Sequence, residues 1–335
     1  MELNRRLLKE ATEHGLISES QAESLWAFLS ERSQDTPSFR FSHILYYLGG
    51  LIAIGAMSLF MTLGWESFGG WGLFFIAMVY AGVGLWLTEF LLHRSRLPIP
   101  AGITAAFVVV LTPLAVYGLQ VALGAWAEGA VFREYHTRID WRWLLMELAT
   151  LASGAVLLWR YRLPFLVMPV AATLWYLSMD VTPFLWGDAD TSWILRKQVS
   201  LGFGLLMVGS AFWVDLRTRR DRDFAFWLYL FGVLTFWGGL SLLDSDSEFN
   251  KFLYLCINLV MIIIGALLSR RVFTVFGGLG VAGYLGYLAY EVFKDSLLFP
   301  FVLTLVGLGI VVLGIIWQRH EASISERLRR LLPVP

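Results

Sequence analysis

Apolar residues fall in ten long blocks, 43–63, 70–92, 101–124, 142–160, 164–183, 198–216, 224–243, 251–269, 272–293 and 297–317. Each is about 20 residues long, enough for one helical crossing of a hydrocarbon core of roughly 30 Å. The blocks lack the period-two alternation of a closed barrel. The pattern predicts an all-α fold, a polytopic transmembrane helix bundle of about ten spans over 43–317 with mostly short connections. Pro113 and Pro169 fall inside spans, where a missing N–H predicts kinks.

Residues 1–33 have a different pattern. Leu3, Leu7, Leu8 and Ala11 form a helical stripe that ends at Gly15, a residue suited to a left-handed C-terminal cap. Ser18 and Gln21 then have the spacing of a capping box that starts a second helix, with Leu25, Phe28 and Leu29 as its stripe. The expectation is a small helical hairpin, a linker at 34–42, and a basic tail at 318–335 that alternates arginines with Ile324, Leu328 and Leu331.

Composition agrees with the spans: 57% of the 335 residues are hydrophobic and 16% are charged, against about 25% charged in soluble domains. The net charge of zero implies no electrostatic attraction to nucleic acid. Most of the 26 basic residues lie on the side that holds the N-terminus, the even-numbered loops and the C-terminus, with RTRRDRD at 217–223 the strongest cluster. The positive-inside rule therefore places both termini in the cytoplasm, and the expected location is a bacterial inner membrane. Trp65, Trp71, Trp126, Trp141, Trp143, Trp186 and Trp193 fall at the opposite ends of the spans, as an aromatic belt does. The first forty residues are polar, so 43–63 is expected to act as the insertion signal.

Enzyme chemistry finds little support. Ser153 sits in a small-residue helix like that of an intramembrane serine protease, but none of the five histidines lies in the interior of a span to act as its base. The lone Cys256 excludes an intrachain disulfide and a multi-cysteine metal site. No cofactor or metal is expected.

Ionisable groups within spans carry more information, because each costs several kcal/mol unless it is paired or hydrated. Glu89 and Asp215 are read as interface residues beside Arg94 and Arg217. Gln120, Glu147, Asp180, Asn258 and Glu291 share one depth in the outer third of five spans, which suggests a common polar vestibule. Asp188 and Asp190, and Asp244, Asp246 and Glu248, form acidic outer loops without the glycine and spacing of a calcium-binding loop. Gly280, Tyr284, Tyr287 and Glu291 share one helical face, whereas the glycines at 277, 280, 283 and 286 drift around the helix and invite close packing.

A parallel repeat can be laid out by matching Tyr47 to Tyr229, Gly50 to Gly232 and Glu66 to Glu248. EHGLISESQAESL near the N-terminus, together with the closing FGGLGVAGYLGYLAYEVFKDSLLFPFVLTLVGLG, resembles the bacterial membrane proteins grouped as domain-of-unknown-function family 2157. The resemblance implies a bacterial inner membrane and transfers no activity. Two functional expectations follow. One is a transporter or lipid-handling protein with an outward-facing vestibule. The other is a membrane sensor or scaffold that docks a cytoplasmic partner through residues 1–33. The bilayer is the expected partner of either, and homo-oligomers are compatible with both.

Overall fold

The structure is a computed structural model of the chain. It describes residues 8, 11–33, 41–63, 65–126, 141–186, 189–218, 223–243, 247–268, 270–288 and 290, together with 300, 301, 304, 305, 307, 308 and 312. These residues are overwhelmingly helical, and no strand occurs among them. In chain order the helices are α1 (Glu19–Ser33), α2 (Phe41–Leu63), α3 (Trp65–Glu89), α4 (Pro98–Ala122), α5 (Trp141–Tyr161), α6 (Val167–Trp186), α7 (Ala189–Arg217), α8 (Ala225–Ser241), α9 (Glu248–Leu268) and α10 (Arg271–Tyr287). Five stretches among the described residues are long and apolar enough to cross a membrane: Phe68–Arg94, Pro98–Ala122, Trp141–Tyr161, Ile194–Arg217 and Glu248–Leu268.

The turn before α1 follows the capping chemistry that its residues dictate. Gly15 has φ 69°, Leu16 N–H donates to the Ala11 carbonyl and Gly15 N–H to that of Thr12, which closes the preceding helical turn. Ser18 Oγ accepts from Gln21 N–H while Gln21 Oε1 accepts from Ser18 N–H, at 3.2 and 2.9 Å, the reciprocal bonds of a capping box. Residues 1–7, 9 and 10 lie outside the description.

Local chemistry moves several expected boundaries. Gly69 adopts φ 64°, so the continuous part of α3 starts just after it. Pro169 falls in the first turn of α6, where its missing N–H has no intrahelical role, and no interior kink is needed there. Pro113 does lie inside α4, which continues through it. The connection expected at 184–197 is helical from Ala189 onward, so Asp190 belongs to the first turn of α7.

The chain divides into two compact units, Met1–Thr173 with Arg217–Ala225, and Leu174–Leu216 with Phe226–Pro335. In the first unit α4 is central: half of its apolar stretch is buried, against 17–22% in the other four membrane-length helices. It lies antiparallel along α3, and the two backbones approach at Gly70 and Gly118, where a side chain on Gly118 would stand 2.7 Å from the Phe74 nitrogen. Leu73, Ala77, Leu111, Leu114 and Tyr117 fill the next layers, and Thr88 and Thr104 close the far end with a 2.8 Å hydrogen bond. On its other side α4 meets α5 through Thr112 and Ser153, whose hydroxyls lie 2.8 Å apart. Ser153 also donates to the Thr150 carbonyl, which makes it a packing hydroxyl.

In the second unit α7 and α8 approach at Gly204 and Gly232, and α9 and α10 form an antiparallel pair joined by a tight corner. The repeat laid out from sequence aligns Gly50 with Gly232. Gly50 makes room for Ile103 of α4, whereas Gly232 makes room for Met207 and Val208 of α7, so the aligned glycines serve different interfaces.

Candidate functional site: a polar seam between α9 and α10

Glu248, Lys251, Tyr254 and Asn258 recur at three, three and four residues along α9, which places them on one face. Gly277, Gly280, Tyr284 and Tyr287, spaced three, four and three apart, likewise share one face of α10. The two faces meet in antiparallel register. At one end Lys251 Nζ lies 2.8 Å from Glu248 Oε1 and 2.7 Å from Tyr287 Oη, and 4.3 Å from the centre of the Tyr287 ring. Tyr287 Oη donates to Glu248 at 2.8 Å, so acid, ammonium and phenol satisfy one another. One turn inward Tyr284 packs on Tyr287 with ring centres 6.3 Å apart, and the Tyr254 hydroxyl bonds Ser241 of α8 at 2.9 Å.

The seam closes at Asn258, which is fully buried. Its Nδ2 donates to the Tyr254 carbonyl at 2.8 Å. Its Oδ1 has no hydrogen-bond partner among the described residues and rests on the backbone of Gly280, where any side chain would overlap the amide. A Cα–H···O contact is the interaction this geometry offers. Gly277 sits against the Asn258 carbonyl, 2.6 Å from where a Cβ would lie. Among the described residues nothing lies within 4 Å of a Cβ added at Gly283 or Gly286, so within them only part of the expected glycine surface is an interface.

This division makes a differential prediction. Gly280→Ala drives a methyl into the Asn258 amide and should cost about 1–3 kcal/mol. Alanine at 283 or 286 should be neutral or stabilise by up to about 1 kcal/mol, because glycine is a poor helix former. Asn258→Ala should recover part of the Gly280→Ala loss, with a coupling above about 0.5 kcal/mol in a double-mutant cycle. Unfolding in mixed SDS micelles measures all of these, and equal costs at 280 and 283 would refute the assignment.

The other expected site residues are distributed between the two units. Gln120, in the first unit, is buried: its Nε2 donates to the Arg142 carbonyl at 3.1 Å and its Oε1 accepts from Trp126 Nε1 at 3.0 Å. Trp126 lies edge-on to Tyr117 and Trp143, and the Arg142 guanidinium sits 5.6 Å from its ring centre. Gln120 thus ties the end of α4 to the start of α5. Glu147 lies on α5 in the same unit, and Asp180 is buried on α6 in the second; each residue interacts with other groups. Glu291, Asp188, Asp244 and Asp246 lie outside the described residues. No grouping of three or more metal-ligating side chains occurs among the described residues.

Two carboxylates have partners that neighbouring sequence does not indicate. Glu89 accepts from Arg160 Nη2 at 3.1 Å and Tyr161 Oη at 2.9 Å, and lies 2.9 Å from His93. Asp215 is held by a two-pronged Arg270 fork, at 2.6 Å from Nη2 and 3.2 Å from Nε, with Tyr229 Oη at 3.5 Å. In both clusters the guanidinium lies over the tyrosine ring, 5.1 Å from its centre for Arg160 and 5.3 Å for Arg270. The matched spacing on adjacent spans could have revealed Lys251 and Tyr254 in the seam. No local signal joins Glu89 to Arg160 or Asp215 to Arg270.

No protein-family model matches the chain, and no curated protein or solved structure is significantly similar to it.

Proposed function

We propose that the chain is a multi-pass inner-membrane protein of about ten spans, with both termini cytoplasmic, that acts as a transporter or lipid-handling protein. Helices α2 to α10 coincide with nine of the ten apolar blocks, and five have membrane length and composition. The observation that carries the functional reading is the graded seam. It runs from a charged mouth at Glu248, Lys251 and Tyr287, past Tyr284 and Tyr254, to the buried amide of Asn258. In apolar surroundings such a row of polar groups is costly unless it is satisfied or used. Glu248 and Lys251 neutralise each other, so the mouth suits a zwitterionic or neutral polar group better than a bare ion. Passage requires α10 to move off Asn258, which would make Gly280 the point of opening.

Reconstituted protein should move zwitterionic solutes or labelled phospholipid headgroups across liposomes. Lys251→Met should reduce that flux about tenfold, the loss of roughly one hydrogen bond and its charge. Liposomes that show no movement of solute, headgroup or proton would sink the reading.

A scaffold role is favoured by one feature. Leu16 is 77% exposed and Leu25 40% exposed beside the capping-box turn, as in a helical surface built to meet another chain. The full-length protein losing a co-purifying partner on Leu16→Ser and Leu25→Ser substitution would support this alternative.

A further inference from the structure

Among the described residues, Trp237 Nε1 on α8 and Asn258 Oδ1 on α9 are buried side-chain atoms with no hydrogen-bond partner. The indole nitrogen can only donate and the amide oxygen can only accept. A buried polar atom left in this state costs stability that an apolar side chain would not. A native fold that keeps two of them needs a reason for each.

Helix register brings the two to one place. Ser241 at the end of α8 and Tyr254 in the second turn of α9 have hydroxyls 2.9 Å apart, which sets the two helices against each other. From that contact one turn back along α8 is Trp237, and one turn on along α9 is Asn258, so both reach about the same depth. The third helix gives the same level. The Trp237 ring lies 5.5 Å from that of Phe276 on α10, and Asn258 rests on Gly277 and Gly280 of the same helix. An unpaired donor and an unpaired acceptor thus stand in one corner of three helices, at the inner end of the seam, without bonding each other.

We propose that this corner binds an uncharged group with one donor and one acceptor, such as a carboxamide, whose carbonyl accepts from Trp237 and whose N–H donates to Asn258. The inference deepens the transport reading and rests on it for access, because Asn258 Oδ1 lies against Gly280 until α10 moves away. The pair also selects by what it refuses. A carboxylate sets a second acceptor against Oδ1, and an ammonium sets donors against the indole N–H. A zwitterion matches both atoms, but each of its charges would leave water for a single neutral partner, a poor exchange in a buried site. The mouth therefore admits zwitterionic or neutral groups, and the inner corner favours the neutral ones.

The test uses the full-length protein in nanodiscs, titrated with acetamide, acetate, ethylammonium and glycine. Indole N–H resonances are read from the protein, and saturation transfer is read from the ligand. The Trp237 resonance is the one lost in W237F. Acetamide should shift it downfield to saturation, with the three charged compounds at least about tenfold weaker. W237F should keep or raise thermal stability, because it removes an unsatisfied donor, yet weaken acetamide binding about 3- to 10-fold, the share of one hydrogen bond. N258A should weaken it by a similar factor. A Trp237 resonance that acetamide leaves unmoved, or that all four compounds move alike, overturns the proposal. So does acetamide binding undiminished in both variants. Acetamide binding that both substitutions weaken, in a protein whose liposomes move no solute, would support the corner as a site and retire the transport reading. Solute movement in liposomes that neither substitution alters, with no acetamide-dependent shift, would do the reverse.

Discussion

Replacing Arg270 by alanine should destabilise the second unit by about 2–4 kcal/mol, below the roughly 3–5 kcal/mol typical of a fully buried pair. The discount reflects exposure: the Arg270 side chain is 20% accessible and that of Asp215 35%. Both charges stand at the unfavourable ends of their helices. Asp215 lies in the last turn of α7, where backbone carbonyls already point outward, and Arg270 is the N-terminal cap residue of α10, where N–H groups do. Each charge is tolerable there because the other meets it, through a fork that also covers the ring of the fully buried Tyr229. Arg270→Ala leaves Asp215 facing its own helix carbonyls and the Tyr229 hydroxyl. Arg270→Lys should recover less than half of the loss, because an ammonium cannot form the two-pronged contact. Asp215→Asn combined with Arg270→Gln should be milder than either charge removed alone. Unfolding in mixed SDS micelles measures the series, and a double variant as damaged as the sum of the singles would argue against the pair.

Gly118→Val should have an effect of about 3 kcal/mol or more, at the upper end of the range for overpacking. The usual escape from overpacking is a shift of a neighbouring side chain, and here the obstacles are the Phe74 nitrogen and the Gly70 carbonyl oxygen, 2.7 and 2.8 Å from the added Cβ. Main-chain atoms of a helix cannot move independently, so α3 and α4 must separate as bodies. That separation also loosens the layer of Leu73, Ala77, Leu111 and Leu114. Gly82→Ala on the same α3 is the control, because nothing lies within 4 Å of its added Cβ. The expected result is a large loss for Gly118→Val and little change for Gly82→Ala in the same unfolding assay. Comparable behaviour of the two would show that the glycine crossing does not hold the pair together.

What was legible in the sequence was local or periodic. Gly15 as a left-handed cap, the Ser18–Gln21 capping box and the shared face of Gly280, Tyr284 and Tyr287 each depend on residues a few positions apart, whose geometry the helix itself fixes. Five of the ten apolar blocks likewise become helices of membrane length among the described residues, because an uninterrupted run of about 20 such residues has few other stable solutions.

Tertiary structure alone decided which neighbour each face meets. Gly277 and Gly280 meet Asn258 whereas Gly283 and Gly286 meet nothing among the described residues, although all four share one sequence spacing. Glu89 chose Arg160 over the nearby Arg94, and Asp215 chose Arg270 over Arg217. Gln120, read as a vestibule group, became the tie between α4 and α5. The physical reason lies in the solvent these helices are built for. In water, the apolar stripe of a helix marks its buried side. In a bilayer the lipid is as apolar as a neighbouring helix, so the stripe disappears and α4, the most buried of the membrane-length helices, reads like the largely exposed α3 beside it. What remains to choose partners is close backbone approach and the pairing of scarce polar groups, and both exist only once the helices are in place.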